Sequence, residues 1–332
     1  MFLPQLKDFD FKGKKVLVRC DFDVPLKLGK ILDDTRIREC LPTIKYLLEK
    51  KAQIILIAHL GRPEGKRVEE LSLAPVAQRL FELLQRKGEV SNLDHNDSLE
   101  GNLFLKENLR FDSREEANDP SYSQELASMA DFYVNEAFSA SHRKHASIVG
   151  VPKFLPHCGG LHFAKEIENL SKVLENPKKP VVFVIGGAKP ETKLPYVEDF
   201  SRIADSVLVG GKLTQNSKLK TVIFADLVES GLDITEDSIK DFVEIIRTAG
   251  TVIWNGPMGK FENKKSETGT KEIAKTIAES EAFKVVGGGD TISALKKFGL
   301  LAKMDYVSTG GGAMLEFLAK GTLPGIEVLI SK

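Results

Sequence analysis

Short apolar runs recur along the whole chain, and longer amphipathic stretches separate many of them. The runs are Val16–Cys20, Ile54–Ala58, Leu103–Leu105, Phe132–Val134, Val181–Ile185, Val207–Val209, Val222–Phe224, Thr251–Trp254, Phe283–Val286 and Tyr306–Ser308. Several are rich in Val and Ile, which is typical of strands buried in parallel sheets. Apolar residues at i, i+3 and i+4 spacing predict helices over Thr35–Lys51 and Ala74–Gln85. The alternation predicts an α/β fold with open parallel sheets.

The length of 332 residues favours two domains, because one hydrophobic core rarely serves a chain of this size. A predicted helix at Lys165–Leu174 is followed by Asn176–Pro180, a segment that stops helices. We therefore expect a first domain over residues 1–160, a connecting helix and linker over 161–180, a second domain over 181–318, and a C-terminal tail over 319–332 that packs back toward the first domain. Each domain is expected to be a Rossmann-like, three-layer α/β unit, and the connecting helix to act as a hinge.

Composition argues against several kinds of partner. Lys+Arg and Asp+Glu are both 47, so no overall charge attracts nucleic acid or an anionic membrane. No segment approaches the ~18 apolar residues of a membrane span, and the N-terminus lacks the apolar core of a secretory signal. The three cysteines lack the paired spacing of a disulfide framework, which favours a reducing cytoplasm.

Nearly every apolar run is followed at once by Gly, polar or charged residues of the kind that bind phosphate. In open parallel sheets, ligands bind beyond the carboxyl ends of the strands. The first half of the chain supplies side-chain cations in these loops and nearby: Arg36, His59, Arg62, Arg110, His142 and Arg143. Guanidinium groups bind carboxylate and phosphate oxygens through paired donors, so the cluster predicts a site for a small, multiply anionic metabolite.

The second half supplies Gly-rich turns instead. They are Gly186–Lys189 after a strand, Gly287–Asp290 before the predicted helix Ile292–Phe298, and Thr309–Gly312 before the predicted helix Ala313–Ala319. A Gly-rich turn that opens a helix directs free N–H groups and the positive end of the helix dipole at an anion. Asp290 adds a carboxylate suited to Mg²⁺ beside phosphates. If Lys189 and Lys193 begin one helix, they share a face of it.

These turns are not Walker A motifs, and the chain has no G-x-G-x-x-G fingerprint, which argues against a dehydrogenase that uses NAD. A cationic site for a small anion and a separate site for nucleotide phosphates together predict phosphoryl transfer between two bound anions. That chemistry needs mainly charge neutralisation and in-line positioning.

From Lys14 to Leu329 the chain resembles the phosphoglycerate kinase family. The matching stretches, in order, are Val16–Leu26 (VLVRCDFDVPL), Asp33–Lys50, Ala58–Pro63 (AHLGRP), Glu107–Phe111 (ENLRF), Tyr133–Val151, Phe183–Lys193 (FVIGGAKPETK), Trp254–Glu262 (WNGPMGKFE), Val285–Leu295 (VVGGGDTISAL) and Val307–Leu318 (VSTGGGAMLEFL). The resemblance implies a phosphotransferase with a carboxyl group as acceptor, which interconverts 1,3-bisphosphoglycerate and ADP with 3-phosphoglycerate and ATP in glycolysis and gluconeogenesis. It also implies a cytoplasmic monomer that closes by a hinge and excludes water.

The same resemblance assigns roles to individual residues. Binding of the phosphoglycerate falls to Asp21, Asp23, Arg36, His59, Arg62, Arg110 and Arg143. Binding of ADP or ATP falls to Gly187, Ala188, Lys189, Lys193, Gly211, Gly231, Leu232, Asn255, Pro257, Glu262, Gly287, Gly288, Gly289, Asp290 and Thr291. The catalytic residues are Arg36, Lys193, Gly288 and Gly289, and Asp290 holds the Mg²⁺ that accompanies the nucleotide.

The chain departs from the family at several positions. Asp23 stands where the family usually has Asn, and an ionised carboxylate repels an anion by up to ~4 kcal/mol at about 4 Å and an effective dielectric of about 20. Lys212 stands where a third Gly is usual, and Ser139 where a Gly precedes the His-Arg pair. The stretch between Gly211 and Gly231 is much shorter than in the family and removes part of the nucleotide-site wall. These departures leave open an alternative, a catalytically weakened scaffold of this family that binds anions or partners.

Overall fold

The computed structural model describes residues 3–86, 90–91, 102–213 and 219–330. The chain divides into two compact units, Met1–Ile167 together with Leu323–Lys332, and Glu168–Thr322. The first boundary falls inside helix α5 (Leu161–Glu175), and the chain returns to the first unit between Thr322 and Leu323. Within the described ranges, no helix is both long enough and apolar enough to cross a membrane.

The first unit contains a six-stranded, all-parallel sheet with the strand order β5-β6-β4-β1-β7-β8. Its strands are β1 (Lys15–Arg19), β4 (Gln53–Ile57), β5 (Val90–Ser91), β6 (Leu103–Lys106), β7 (Phe132–Asn135) and β8 (His157–Gly159), and β2 (Leu26–Lys27) and β3 (Lys30–Ile31) form an antiparallel hairpin. Its helices are α1 (Thr35–Glu49), α2 (Ala74–Leu84), α3 (Ser113–Glu116), α4 (Pro120–Ala127), the start of α5, and α11 (Pro324–Ile330).

Both faces of this sheet are covered. Val16 of β1 pairs with Ile54 of β4 and with Phe132 of β7, and these side chains share one core with α1 and α2. The next residues along the strands, Leu17 and Tyr133, point to the opposite face and are also fully buried. A sheet that is buried on both faces is the middle layer of a three-layer α/β unit.

The second unit repeats this architecture with the strand order β11-β10-β9-β12-β13-β14, again all parallel. Its strands are β9 (Val181–Ile185), β10 (Ser206–Val209), β11 (Val222–Phe224), β12 (Thr251–Asn255), β13 (Phe283–Gly287) and β14 (Tyr306–Ser308). Its helices are α6 (Leu194–Ser201), α7 (Glu236–Arg247), α8 (Thr268–Glu279), α9 (Gly289–Lys297) and α10 (Gly312–Lys320). Phe183 of β9 stacks on Phe200 of α6 at 4.4 Å, whereas Val184 packs with α7 and α8 on the other face.

The predicted fold class is confirmed, and each predicted apolar run lies on a strand within one residue of its observed bounds. The predictions missed the short strands β2, β3, β5 and β8, because none of them contains a continuous apolar run of three residues. Strand β11 confirms the predicted strand inside the shortened stretch, of which residues 214–218 lie outside the described ranges. Helix α11 belongs to the first unit, and α10 ends in the second.

Helix α5 begins at Leu161, where the expected connecting segment 161–180 begins and four residues before the helical pattern at Lys165–Leu174, and its first turn is capped from elsewhere in the fold. The N–H of Leu161 donates to Thr43 Oγ1 at 2.8 Å, and the N–H groups of His162 and Phe163 donate to Glu136 at 3.1 Å each. Such caps satisfy N–H groups that have no partner within the helix. Glu136 is fully buried, and burial raises its pKa to about 7.

His162 links this capped turn to helix α1. Its ring nitrogens lie 3.2 Å from a carboxylate oxygen of Glu39 on α1 and 3.5 Å from one of Glu166, which is fully buried. Burial opposes a charge on His162, but the hydrogen bonds to Glu166 and Glu39 outweigh it and raise its pKa to about 11. The protonated ring therefore joins the linking helix to α1.

We expect the ion pairs of His162 to stabilise the protein most at low pH. Because the folded pKa lies above the ordinary value near ~6.5, the stabilisation is complete below that value and is lost as pH rises toward about 11. Replacing His162→Gln leaves Glu166 buried without this cation and should cost about 3 kcal/mol at about pH 6. Thermal unfolding of both proteins from pH 6 to pH 10 measures the difference.

The control is His157→Gln, since the His157 ring bonds the backbone carbonyl of Leu155 rather than a carboxylate. A His162→Gln deficit that stays constant from pH 6 to pH 10 would contradict the ion-pair assignment.

Candidate active site

The predicted phosphoglycerate residues of the first unit follow four neighbouring strands, β6, β4, β1 and β7. Asp21 and Asp23 follow β1, His59 and Arg62 follow β4, Arg110 follows β6, and Arg143 follows β7. Because the carboxyl ends of parallel strands meet at one edge of a sheet, these loops share one edge of the first unit.

Arg36 lies in the first turn of α1 and points to the end of β1. Its Nη1 donates to Asp21 Oδ1 at 2.8 Å and lies 3.4 Å from Ser139 Oγ. The Asp21 carboxylate, and to a lesser extent that of Asp23, raises the pKa of Arg36 against the opposing effect of burial. The second carboxylate oxygen of Asp21, Oδ2, is buried and has no hydrogen-bond partner among the described residues. That oxygen can accept a hydrogen bond from a ligand.

His59 is oriented by Arg19, a residue that the sequence analysis missed. Arg19 is fully buried, and its Nη2 lies 2.9 Å from His59 Nδ1. A guanidinium can only donate, so Nδ1 accepts and the proton of the neutral ring is on Nε2. Arg19 is itself held by Ser147 Oγ at 2.8 Å, and Ser147 donates to buried Glu115 at 2.6 Å. His59 therefore presents an N–H donor to the loop edge.

The cations at this edge outnumber their acidic partners. Burial, followed by the charges of Arg19, Arg110 and Arg36, holds the pKa of His59 well below its ordinary value. His145 is affected in the same way: burial and then Arg110 and Arg19 lower its pKa to about 3. Burial also lowers the pKa of Arg110, and the charge of Glu116 offsets this lowering only in part. An anion at this edge would relieve the mutual repulsion of these groups.

Asp23 and Arg110 are held by the loop after β4. Asp23 Oδ1 accepts a hydrogen bond from the Gly61 N–H at 2.9 Å, and its Oδ2 lies 3.9 Å from His59 Nε2. Arg110 Nη1 donates to the Gly61 carbonyl at 2.7 Å. Arg62 is exposed beside them, and the charge of half-buried Arg143 lowers the pKa of Arg110. The structure thus brings together Asp21, Asp23, Arg36, His59, Arg110 and Arg143, whereas Arg62 is placed only by its position next to Gly61 in the loop after β4.

The predicted nucleotide loops of the second unit are packed backbone against backbone. A Cβ added to Gly211, whose φ is +66°, would lie 2.5 Å from the Gly187 carbonyl oxygen, and the N–H of Lys212 donates to that oxygen at 2.8 Å. A Cβ on Gly186 would lie 2.3 Å from the Pro257 carbonyl oxygen. The loops after β9, β10 and β12 therefore approach closely only because glycine stands at these positions.

Lys193 is fixed at the end of β9. Its Nζ donates to the carbonyl of Gly186 at 2.5 Å and to that of Asn255 at 3.0 Å. Burial lowers its pKa to about 8, although Asp290 opposes the shift. The short 3₁₀-helix Pro190–Thr192 separates it from exposed Lys189, so the two lysines flank that turn rather than begin one α-helix.

The start of helix α9 forms the second predicted anion site. Gly288 precedes it with φ of +93°, a conformation that side chains rarely adopt. The first N–H groups of a helix have no acceptor within it. Asn255 Nδ2 is buried without a hydrogen-bond partner among the described residues, and a Cβ on Gly288 would lie 3.3 Å from it. Thr291 is fully buried, and its hydroxyl accepts from the Gly256 N–H at 2.6 Å, so it braces the loop after β12.

A cavity of about 330 Å³ opens beside these loops. Its lining residues are Gly187, Ala188, Gly211, Lys212, Gly231, Leu232, Pro257, Met258, Gly259, Lys260, Phe261, Glu262 and Asp290. Eight of them were predicted as nucleotide residues, whereas Lys212, Met258, Gly259, Lys260 and Phe261 were not. Motif letters do not show which residues of a loop face a cavity, although four of the five lie within the WNGPMGKFE stretch.

The walls of the cavity are held by contacts within the lining and by residues behind it. The carboxylate of Asp233 accepts from the Gly269 N–H at 3.0 Å at the start of α8, and the Leu232 carbonyl accepts from Lys260 N–H at 2.8 Å. Lys297 Nζ donates to the Phe261 carbonyl at 2.6 Å and to Glu267 at 2.5 Å. Residues without a predicted role therefore keep the lining in position.

Asp290 fits the limited protein contribution that Mg²⁺ needs beside phosphates. Its carboxylate is exposed, lines the cavity and acts electrostatically on Lys193. No group of three or more His, Cys, Asp and Glu residues suited to a metal occurs within the described ranges. Mg²⁺ is commonly held by one or two carboxylates together with substrate phosphates, so the carboxylate of Asp290 fits such a site.

We expect the His59 ring of the free protein to stay neutral, with its proton on Nε2, between about pH 6 and pH 8. Burial and the surrounding arginines lower its pKa, and Arg19 occupies Nδ1. Long-range ¹H–¹⁵N NMR distinguishes the two tautomers, and His59→Gln assigns the signal. A ring that titrates within this range, or that carries its proton on Nδ1, would show that the arginine cluster does not control it.

The chain was compared with known proteins. A family model described as "Phosphoglycerate kinase" matches residues 6–221 and 213–321. Phosphoglycerate kinase of Thermosipho africanus is 40% identical over 392 aligned residues, and that of Dictyoglomus turgidum is 41% identical over 389, each with 98% of both chains covered. The solved structures of phosphoglycerate kinase from Coxiella burnetii and from Pyrococcus horikoshii OT3 each align with a TM-score of 0.85, at 35% and 30% identity, with 98% of both chains covered.

The comparisons also locate the shortened stretch. The alignment with the Thermosipho africanus relative spans 392 positions against 332 residues here, so at least 60 positions face no residue of this chain. The two segments of the family match meet at residues 213–221, inside the stretch that the sequence analysis identified as short. Identity over 98% of the chain, the family match and the shared fold together show that this chain belongs to the phosphoglycerate kinase family.

Proposed function

We propose that this chain transfers a phosphoryl group reversibly between 1,3-bisphosphoglycerate and ADP, giving 3-phosphoglycerate and ATP with a carboxyl group as acceptor. The observation that carries the proposal is the cluster of mutually repelling cations around neutral His59. A cluster that lacks sufficient acidic partners is suited to a ligand with several negative charges. The comparisons supply the family, whose members carry this name.

The first unit would bind the phosphoglycerate through groups of different character. The unpartnered oxygen of Asp21 can accept from a hydroxyl group, and His59 Nε2 can donate to an oxygen. Arg62, Arg110 and Arg143 would pair with phosphate or carboxylate oxygens. Arg36, fixed by Asp21 at 2.8 Å, would stabilise charge on the phosphoryl group in transfer.

The second unit would hold the nucleotide phosphates. An ammonium group has three donors, and the Gly186 and Asn255 carbonyls occupy two of those of Lys193. The third can reach a phosphate oxygen, and a bound phosphate would restore the pKa that burial lowers. Lys189, which is exposed nearby, would add a second cation.

The start of α9 would stabilise the transferring group. The amides of Gly287, Gly288 and Gly289, the dipole of α9 and the orphaned Nδ2 of Asn255 all favour negative charge. Asp290 would hold the Mg²⁺ that accompanies the nucleotide, and that ion would supply further charge neutralisation when bound. The cavity lined by Gly211, Gly231, Leu232, Pro257 and Glu262 would take the nucleoside.

No general base is needed in this scheme. A carboxylate acceptor is already deprotonated at neutral pH, so the residues only position the reactants and neutralise charge. Every predicted cation of both sites is present, and no observation favours the scaffold alternative. The three cysteines are buried and free, which is consistent with work in the cytoplasm, and the monomeric state stays a prediction.

A coupled assay of ATP-dependent phosphorylation of 3-phosphoglycerate tests the proposal. We expect turnover by the wild type and a loss of kcat/KM of about a hundredfold or more for Arg36→Met, because a group aimed at the transferring charge is removed. The matched control on the same helix is Arg38→Met. Arg38 is half-exposed, and its ion-pair partner among the described residues is Asp34 at 2.8 Å. A folded wild type that is inactive at mM substrate would refute the proposal.

We expect Asp23→Asn to lower the KM for 3-phosphoglycerate by roughly five- to tenfold, with a smaller change in kcat. The amide oxygen of Asn can still accept the hydrogen bond from the Gly61 N–H. Its uncharged NH₂ group takes the place of the carboxylate oxygen near His59. Steady-state kinetics in 3-phosphoglycerate measures the change. Asp10→Asn is the control, because exposed Asp10 also accepts a backbone N–H, from Lys12 at 3.1 Å. An unchanged or raised KM would show that Asp23 does not repel the substrate.

A further inference from the structure

The nucleotide cavity contains a lysine that no predicted role uses. Lys212 lines the cavity, and its side chain is exposed there. Among the residues that the structure describes, no carboxylate lies within ion-pair distance of its Nζ. A cation that faces a cavity without an acidic partner is available for an anionic ligand.

The backbone of Lys212 is fixed even though its side chain is not. The residue lies in the 3₁₀-helix Gly211–Leu213, between Gly211, which packs on Gly187, and fully buried Leu213. Its N–H donates to the Gly187 carbonyl at 2.8 Å. The stem of the side chain therefore starts from a defined point on the cavity wall.

That point is close to the proposed phosphate site. A Cβ on Gly187 would lie 3.2 Å from Lys193 Nζ, and Gly187 is in contact with Gly211. Lys193, Gly187 and Lys212 therefore follow one another along a continuous wall. The four-carbon stem of lysine is long and flexible enough to bring Nζ to a phosphate oxygen next to those at Lys193.

A second unassigned lysine of the cavity lies on a different wall. Lys260 is bonded through its N–H to the Leu232 carbonyl at 2.8 Å, and it belongs to the segment that Lys297 holds through Phe261. Asn255, Gly256 and Pro257 of the same loop contact Gly186 and Lys193, whereas Lys260 lies three residues beyond Pro257, bonded to Leu232. Lys260 therefore carries the same charge as Lys212 and lines the same cavity, but it does not lie beside the proposed phosphate site.

We propose that Lys212 binds the phosphate chain of the nucleotide. This contact would replace the nucleotide affinity that is lost with the part of the cavity wall that the shortened stretch removes. This inference rests on the proposed function, since it takes a nucleoside diphosphate or triphosphate as the ligand. The proposal adds a residue that contacts the nucleotide on the wall formed by Gly187 and Gly211. It also implies that the phosphates contribute more to the binding free energy of the nucleotide than the nucleoside does.

Isothermal titration with Mg·ADP and with adenosine separates the two contributions. We expect Lys212→Met to weaken Mg·ADP about tenfold and to leave adenosine unchanged, as the loss of one charge-assisted hydrogen bond predicts. Lys212→Arg should restore most of the affinity for Mg·ADP. Lys260→Met should change the affinities for Mg·ADP and adenosine by the same factor, and surface Lys240→Met should change neither.

Equal weakening of adenosine and Mg·ADP by Lys212→Met, or no weakening of Mg·ADP, would overturn the inference. The coupled kinase assay, run in parallel, separates this from failure of the proposed function. An active wild type with an unaffected Lys212→Met variant refutes the role of Lys212 alone. An inactive wild type whose Mg·ADP binding still depends on Lys212 refutes the kinase proposal alone, and a wild type that binds no Mg·ADP refutes both.

Discussion

The buried guanidinium of Arg19 is the interaction on which the first candidate site depends. It donates hydrogen bonds to Ser147, to the Cys20 carbonyl and to His59, all within 2.9 Å. Ser147 in turn donates a hydrogen bond to buried Glu115. A fully buried charge must be satisfied by such contacts, because its desolvation is otherwise prohibitive. Once Arg19 is in place, His59 must be neutral and must present Nε2–H, and the charges of Arg19 and Arg143 still repel that of Arg110 despite its pairing with Glu116. In the proposed function, selectivity for anions would thus begin one layer beneath the residues that would contact the ligand.

The second unit would bind anions with backbone groups. Gly186, Gly187 and Gly211 allow three loops to approach to distances that any Cβ would prevent, and Lys193 closes the arrangement by bonding two of their carbonyls. Burial also lowers the pKa of the Lys193 ammonium to about 8, and a bound phosphate would reverse that shift. One unit therefore relies on side-chain charge and the other on main-chain dipoles, although both are built on the same all-parallel sheet.

The sequence predicts the parts that depend on local pattern and misses those that depend on distant neighbours. Apolar runs identify the strands because buried parallel strands need continuous apolar sequence. Arg19 was missed because a charged residue inside an apolar run gives no local sign that it is satisfied by Ser147 and His59. The caps of the first turn of α5 were missed for a similar reason, since Thr43 and Glu136 lie far from that turn in the sequence. Which residues line the cavity, Lys212 included, depends on loop packing that motif letters do not encode.

The bracing of the glycine loops has a consequence for how a chain of this family can change length. The contacts that hold the loops in register join β9 to β12, β9 to the turn after β10, and α9 to the loop after β12. None of them involves the segment at residues 213–221 where the family match is interrupted, and the sheet still carries a parallel edge strand, β11, beyond β10. The segment that relatives carry there is thus mechanically separable from the loops that would do the chemistry. Material can therefore be absent there without removing any of these loop contacts.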